Sequence, residues 1–242
     1  MRLHVTGATG YLGSELVRLR PDASTDRVEV RDAEAVRELL ERVRPEAVIH
    51  TAYRQDEDDV NTVGSANVAR AAAAVGARLV HLSTDVVFDG RKGTPYVEDD
   101  GPSPVTGYGR AKAEAEELVA AAHPAAAIVR TSLLYGGATP SKHELAARDP
   151  SFTFFTDEVR SPVHVTDVAT ALLELVELDV SGPLHVAGAD AVSRAELAAM
   201  FARHPVRSAP APSSRPLNCA LDSSRAQALL RTRLRGVREV LS

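Results

Sequence analysis

Tyr108 and Lys112 stand four residues apart in the stretch Tyr-Gly-Arg-Ala-Lys, so a helix there places them one above the other on the same face. Upstream, Ser83, Thr84 and Asp85 close the apolar run Arg78 to Leu82, which reads as a buried strand. A hydroxyl, a phenol and an ammonium can together hold a carbonyl oxygen, give it a proton and supply positive charge. A phenol with an ordinary pKa near ~10 is a poor acid–base group at neutral pH, and a neighbouring Lys⁺ favours the phenolate. The spacing therefore predicts that Lys112 lowers the pKa of Tyr108. Thr84 is placed to hold the reacting oxygen. The competing reading is an amphipathic surface helix whose Tyr and Lys do no chemistry.

The elements before this set look built to deliver a cofactor to it. Arg2 to Thr6 reads as a short buried strand, followed by Gly7, Gly10 and Gly13 and then by an apolar-periodic helix through Leu16, Val17 and Leu19. Strand, glycine turn and helix in that order form the context of a dinucleotide fingerprint. Gly7 permits the tight turn, Gly10 the approach of backbone to a pyrophosphate, and Gly13 close helix–strand packing. The helix N-terminus offers free N–H groups to the phosphates. Thr9, Tyr11 and Leu12 complete the candidate contacts. Val28 to Val30 is a very short strand candidate. Asp32 lies where an acid would bind the adenosine ribose, and Arg31 beside it could meet a 2′-phosphate. Asp32 equally suits an N-cap for a helix from Ala33 to Arg44. Ala47 to His50 is a third strand, ending in Thr51, Ala52 and Tyr53, a candidate wall for the adenosine. Asn61 to Val75 is an Ala-rich helix closed by Gly76. The alternation of strand and helix up to Leu82 predicts a parallel doubly wound sheet.

Composition bounds the function classes. The chain has 242 residues and a formal net charge of -5, which gives no electrostatic case for nucleic acid or an anionic membrane. Its single cysteine, Cys219, cannot form an intrachain disulfide. With no signal-peptide pattern and no apolar run of membrane-spanning length, a cytoplasmic location is expected. The run Asp56 to Asp59 reads as a solvated loop or helix start, and no metal site is expected. His50, His81 and His164 read as core or strand residues.

At this point the motifs are specific enough to compare. The glycine turn, the string Ser83-Thr-Asp-Val-Val-Phe-Asp-Gly90, the Tyr108/Lys112 pair and Arg130-Thr-Ser-Leu-Leu-Tyr-Gly136 resemble the extended short-chain dehydrogenase/reductases. Within them the chain is most similar to the dTDP-4-dehydrorhamnose reductase (RmlD-like) family. The Ser-Thr-Asp string discriminates, since the other two motifs belong to the whole superfamily.

The resemblance implies an α/β fold with a Rossmann-type doubly wound parallel sheet and a small interleaved C-terminal α/β substrate lobe. It implies residues 1–135 and 166–186 for the dinucleotide-binding part, and 136–165 and 187–242 for the lobe. By that likeness Tyr108 gives the proton to a keto oxygen, and Lys112 binds the nicotinamide ribose and tunes Tyr108. Thr84 holds the oxygen, Ser83 lies against the cofactor, and Asp85, Val87 and Arg160 join Thr84 and Tyr108 around the substrate. NADPH or NADH is the implied cofactor, a nucleotide-sugar the implied substrate, and a homodimer a possible assembly. The chain is short for the family in two places, between Gly13 and Asp32 and after Tyr135. This puts the substrate in question more than the fold, and keeps a non-catalytic dinucleotide-binding protein as a second reading. An epimerase or dehydratase on the same scaffold is a third; a dehydratase would want an acidic pair beside Thr84, where Asp85 is followed by Val86. In the C-terminal third, Phe152 to Phe155 reads as a strand and Asp167 as the cap of a helix from Val168 to Leu178. Gly182 to Val186 is another strand, and Ser193 with Glu196 forms a capping box. His204 to Pro216 reads as a linker, and Asp222 as the cap of a last helix.

Overall fold

The alternation of apolar runs and periodic stretches resolves, in the computed structural model of all 242 residues, into eleven strands and ten helices. First come β1 (Leu3–Thr6), α1 (Tyr11–Leu19), α2 (Ala33–Val43), β2 (Ala47–His50), α3 (Asp58–Asn61), α4 (Val63–Ala74), β3 (Arg78–Thr84) and, after a 3-10 turn at Asp85–Val87, α5 (Gly107–Ala122). The middle holds β4 (Ala127–Thr131), β5 (Leu134–Tyr135), α6 (Lys142–Ala147), β6 (Thr153–Phe155), β7 (Val159–Arg160), β8 (Val163–His164), α7 (Val165–Leu175) and β9 (Gly182–His185). The chain ends with β10 (Val192–Ser193), α8 (Arg194–Phe201), β11 (Arg207–Ala209), α9 (Ser224–Leu229) and α10 (Val237–Val240).

β1, β2, β3, β4 and β9 form one parallel sheet in that order. Its strands are buried on both faces because both faces are covered. Leu12 and Leu16 of α1 pack with Val168, Leu172 and Leu175 of α7 beneath one face. Val36, Leu39 and Leu40 of α2, Val68 and Ala72 of α4 and Val119 of α5 fill the other. Ala226, Leu230 and Leu234 join the α1/α7 core, so the C-terminal stretch returns to the main sheet instead of staying with the lobe. The lobe is assembled from three two-stranded pairs, β5 with β8, β6 with β11 and β7 with β10, around α6 and α8.

The Val28–Val30 strand does not form. After α1 the chain touches the outer edge of β1 at one residue only, where Ser24 exchanges backbone hydrogen bonds with Leu3 and Val5 at 2.9 Å. It then leaves that edge, and Val30 drops into the core over Gly64, which has no side chain to block it. The Asn67 amide donates to the carbonyls of Val30 (3.0 Å) and Arg31 (3.1 Å), doing what a ladder partner would have done. Two other expectations are also corrected. Asp167 is not a cap: α7 starts two residues earlier, His164 Nδ1 accepts from Thr166 N, and Asp167 faces Arg235. The stretch read as a linker contains β11, which pairs in parallel with β6. Both capping-box residues, Ser193 and Glu196, are as expected.

This topology fixes where a ligand can sit. From β1 the chain goes through α1 to one side, at Ser24, and through α2 to the other side, at β2. A crevice opens outside the carboxyl ends of the strands where the order reverses.

Candidate functional site

The glycine turn leaves β1 and presses against the end of β2. Gly7 has φ +71°, and a Cβ on it would stand 2.7 Å from Ala52 N. A Cβ on Gly13 would lie 2.1 Å from the Gly7 carbonyl oxygen. α1 starts at Tyr11 with Gly10 as its N-cap and no capping side chain, so its first N–H groups have no partner within the helix. A turn stripped of side chains and an uncapped helix end fit a pyrophosphate. Thr9 lines the same surface, while Leu12 is mostly buried beneath it. The Tyr11 hydroxyl accepts from Gly137 N at 2.9 Å, tying the lobe to this end of the cleft. Thr51 donates to the Thr6 carbonyl (2.7 Å), which locks the ends of β1 and β2 together.

The adenosine end departs from expectation. Asp32 is the N-cap of α2, accepting from Glu34 N and Ala35 N at 3.1 and 3.0 Å. Arg31 is spent on Glu29 (2.9 Å) and Glu57 (3.2 Å). Neither residue lines the cleft; the wall there is Thr25 to Val30. Arg27 is the cation this wall offers, and no motif surrounds it in the sequence.

The reacting end is organised by α5. Thr106 caps it by accepting from Gly109 N at 3.0 Å. Gly109 sits under Val86, where a Cβ would be 2.3 Å from the Val86 carbonyl oxygen, so the helix start lies directly on the turn after β3. Tyr108, Lys112 and Glu116 then form one stripe at four-residue spacing. Glu116 is buried and accepts from Ser83 Oγ on β3 and from the Arg130 guanidinium on β4 (2.8 Å), which keys the helix to the sheet. Lys112 Nζ donates to the Leu82 carbonyl at 2.6 Å and approaches His81 Nε2 at 3.4 Å. The Tyr108 ring lies 6.0 Å from that of Tyr53, which forms the outer edge of the cleft.

The electrostatics reverse one expectation. Burial raises the pKa of Tyr108 above its ordinary value, with Tyr53 and Asp85 adding to the rise. Burial brings Lys112 down to about 8, partly opposed by Glu116. Lys112 gives its hydrogen bonds to Leu82 and His81, not to the phenol, so it does not lower the Tyr108 pKa as the spacing alone suggested.

Thr84 faces the same cleft, accepting from Val86 N (3.4 Å) and donating to Asp85 Oδ1 (3.3 Å). Both bonds are long and easily exchanged. Asp85 is buried, accepts from Ser132 and lies 3.7 Å from Arg160. Burial raises its pKa, while Arg160 opposes the rise. Val87 is not in the site. It is fully buried and packs with Phe88, Tyr96 and Cys219, because the 3-10 turn points Val86 at the cleft and Val87 at the core. Arg160 lines the cleft but is 1 % exposed and saturated, donating to the carbonyls of Val159, Leu217 and Pro216 and to Glu158.

Beyond Arg160 lie residues that sequence reasoning passed over. Glu158 is buried and pairs with Arg160 (3.1 Å) and Arg215 (2.9 Å). Arg194, first residue of α8, lines the cleft with no ion pair; burial pushes its pKa down and nearby Glu158 opposes the fall. Lys142 has only the neutral Gln55 amide as partner, at 3.2 Å. His143 between them is held at about 3 by burial, Arg194 and Lys142. Arg194 belongs to the capping-box stretch Ser193 to Glu196, a helix-start signal that says nothing of the cation inside it.

A cleft of about 970 Å³ connects the glycine turn, the Thr84, Tyr108 and Lys112 set, and this basic end. Together with the sheet order these features define a dinucleotide-dependent reductase scaffold of the short-chain type. Comparison with known proteins narrows the class. The family model described as the RmlD substrate binding domain matches residues 1–242, and the chain belongs to that family. It is 36% identical to the dTDP-4-dehydrorhamnose reductase of Mycolicibacterium smegmatis, over 99% of this chain and 84% of that protein. It is 31% identical to methionine adenosyltransferase 2 subunit beta of Rattus norvegicus, over 94% of this chain and 82% of that one. Among solved structures, the dTDP-4-dehydrorhamnose reductase of Bacillus anthracis in complex with NADP superposes with a TM-score of 0.87 at 26% identity, covering 99% and 96% of the two chains.

Proposed function

We propose that this protein reduces a keto group on a nucleoside diphosphate sugar, using NADPH. The observation that carries the reading is the continuity of the cleft from the glycine turn, past Thr84, Tyr108 and Lys112, to two cations without a carboxylate partner, Lys142 and Arg194. A dinucleotide accounts for the first part. The diphosphate of a nucleotide-sugar accounts for the last, since a desolvated guanidinium without a counter-ion is costly until an anion arrives. Similarity to dTDP-4-dehydrorhamnose reductases supports the substrate class, and the NADP-bound relative supports the cofactor. Within residues 136–165 and 187–242, the part that carries Lys142 and Arg194 then serves as the substrate lobe, while Ala226, Leu230 and Leu234 stay with the main core.

When bound, the reduced nicotinamide supplies the hydride to the carbonyl carbon. Tyr108 gives its phenolic proton to the oxygen, so C=O becomes CH–OH, and the phenolate recovers a proton from water. Its raised pKa keeps that proton in place at neutral pH until negative charge develops on the substrate oxygen. The Lys112 ammonium then holds the nicotinamide ribose. Thr84 turns its hydroxyl from Asp85 to the same oxygen. Asp85 and Arg160 hold the floor of the site, and Arg160, with its donors occupied, shapes the substrate pocket without contributing a free charge.

The test is NADPH oxidation across a panel of dTDP-, UDP- and GDP-keto sugars. Turnover of at least one is expected, and Tyr108→Phe should reduce it by about 10²–10⁴-fold with NADPH affinity nearly unchanged. A parent protein inactive on the whole panel sinks this reading. The likeness to an adenosyltransferase subunit favours a second one, a dinucleotide-binding subunit, which predicts NADPH binding without oxidation of any panel member.

A further inference from the structure

Lys112 is 3 % exposed, and its ammonium has three hydrogens to place. One goes to the Leu82 carbonyl at 2.6 Å, and the acceptor nearest a second is His81 Nε2 at 3.4 Å. No carboxylate hydrogen-bonds to it, because the oxygens of Glu116 are taken by Ser83 and Arg130. His81 lies on β3 with no exposed surface, its ring stacked on that of His50 in β2 at 5.3 Å and 28°. His50 is fixed at both nitrogens, by Thr6 Oγ1 (2.6 Å) and Ser65 Oγ (3.2 Å). The other nitrogen of His81, Nδ1, has no partner at all.

A buried imidazole that faces an ammonium on one side and a second buried imidazole on the other stays neutral. With one proton to place, it keeps that proton on the partnerless Nδ1 and turns the Nε2 lone pair toward Lys112. We propose that His81 is a positioning residue for Lys112, a neutral acceptor that fixes the ammonium and preserves its charge without cancelling it. A carboxylate in this place would pair with the lysine and remove the field it offers the cleft. A leucine would leave a buried ammonium with one acceptor. The consequence for reduction, a third N–H directed toward Tyr108 and the ribose, rests on the reductase reading. The His81–Lys112 contact does not.

The charged and titratable groups around Lys112 come from four elements. Glu116 and Tyr108 share its helix, Arg130 on β4 pairs with Glu116, His50 lies on β2, and His4 on β1 stands behind His50. The histidines are held neutral by burial, so Glu116 is the charge that opposes the effect of burial on Lys112.

The sequence contains three lysines, Lys92, Lys112 and Lys142, so a protein labelled with ¹³Cε-lysine gives three signals, assigned with Lys92→Arg and Lys142→Arg. Lys112 should titrate near 8 in the parent. His81→Leu should move that midpoint down by about 1 pH unit, the effect of one lost hydrogen bond to a charged group, and His81→Gln, whose amide oxygen is an acceptor, should restore most of it. An unchanged midpoint in folded His81→Leu, or a Gln variant that shifts as far as Leu, overturns the proposal. If His81→Leu does not fold, ¹⁵N imidazole shifts of the parent decide. The Nδ1–H tautomer is required, and Nε2–H overturns it. NADPH affinity measured against pH separates the two readings. A Lys112 titration that responds to His81 while NADPH affinity ignores it keeps the His81 assignment and removes Lys112 from cofactor binding.

Discussion

Arg27 and Arg31 differ in what their guanidinium groups already hold. Arg31 is committed to Glu29 and Glu57, whereas Arg27 is part of the wall at the adenosine end and has no ion pair. A 2′-phosphate on the ribose would supply one. Arg27→Ala should therefore weaken NADPH binding by about tenfold or more, the scale of a lost charged hydrogen bond, while leaving NADH within about twofold. Arg31→Ala should change neither. Calorimetry on both cofactors checks this, and equal losses for NADPH and NADH would remove the 2′-phosphate assignment. Single residues were legible where one short motif fixes both type and neighbours, as with Gly7, Gly13, Tyr108 and Lys112. Arg27 and Arg194 were not, because what sets them apart is having no ion-pair partner in the folded chain. That property depends on residues far away in sequence. Val87 failed for a related reason, since a 3-10 turn sends adjacent side chains to opposite sides.

At the scale of elements, α5 carries the site and Glu116 sets its register. Glu116→Gln keeps the shape but leaves the buried Arg130 guanidinium without its counter-charge. Breaking one side of such a pair costs about 3–5 kcal/mol. The urea midpoint should fall accordingly, and any turnover should fall with it, because Tyr108 and Lys112 ride on the same helix. A variant of parental stability would show that the pair does not anchor the helix. The strand–helix alternation that builds the main sheet could be read from the sequence because each run has one period and one partner layer. The short strands of the lobe could not. β6 with β11 and β7 with β10 pair residues tens of positions apart, and two or three residues show no period. Val30 likewise looked like a strand because its role is burial, while its backbone is satisfied by Asn67.

For the whole molecule, the number of neutral buried histidines sets the response to acid. Burial lowers the pKa of His4, His50 and His81, on three neighbouring strands, with His50 held at about 3. Between pH 6.5 and these lower values the unfolded chain binds protons that the folded one refuses. Stability therefore falls as pH drops below about 6.5, before most carboxylates titrate. Each fully neutral histidine contributes a loss of roughly 2 kcal/mol by pH 5. Urea midpoints at pH 7.5 and pH 5 should differ clearly, and a flat profile between them would mean these rings are charged in the folded state.

The contact of Glu116 with Ser83 and Arg130 has a consequence for descent. It needs no cofactor and no substrate, yet it dictates where Tyr108 and Lys112 stand. Selection for a protein that merely folds would keep the Tyr108–Lys112 stripe in register. A lineage on this scaffold that gave up turnover would carry the arrangement onward for many substitutions, and one that later regained a substrate would find its acid and its ammonium already aligned.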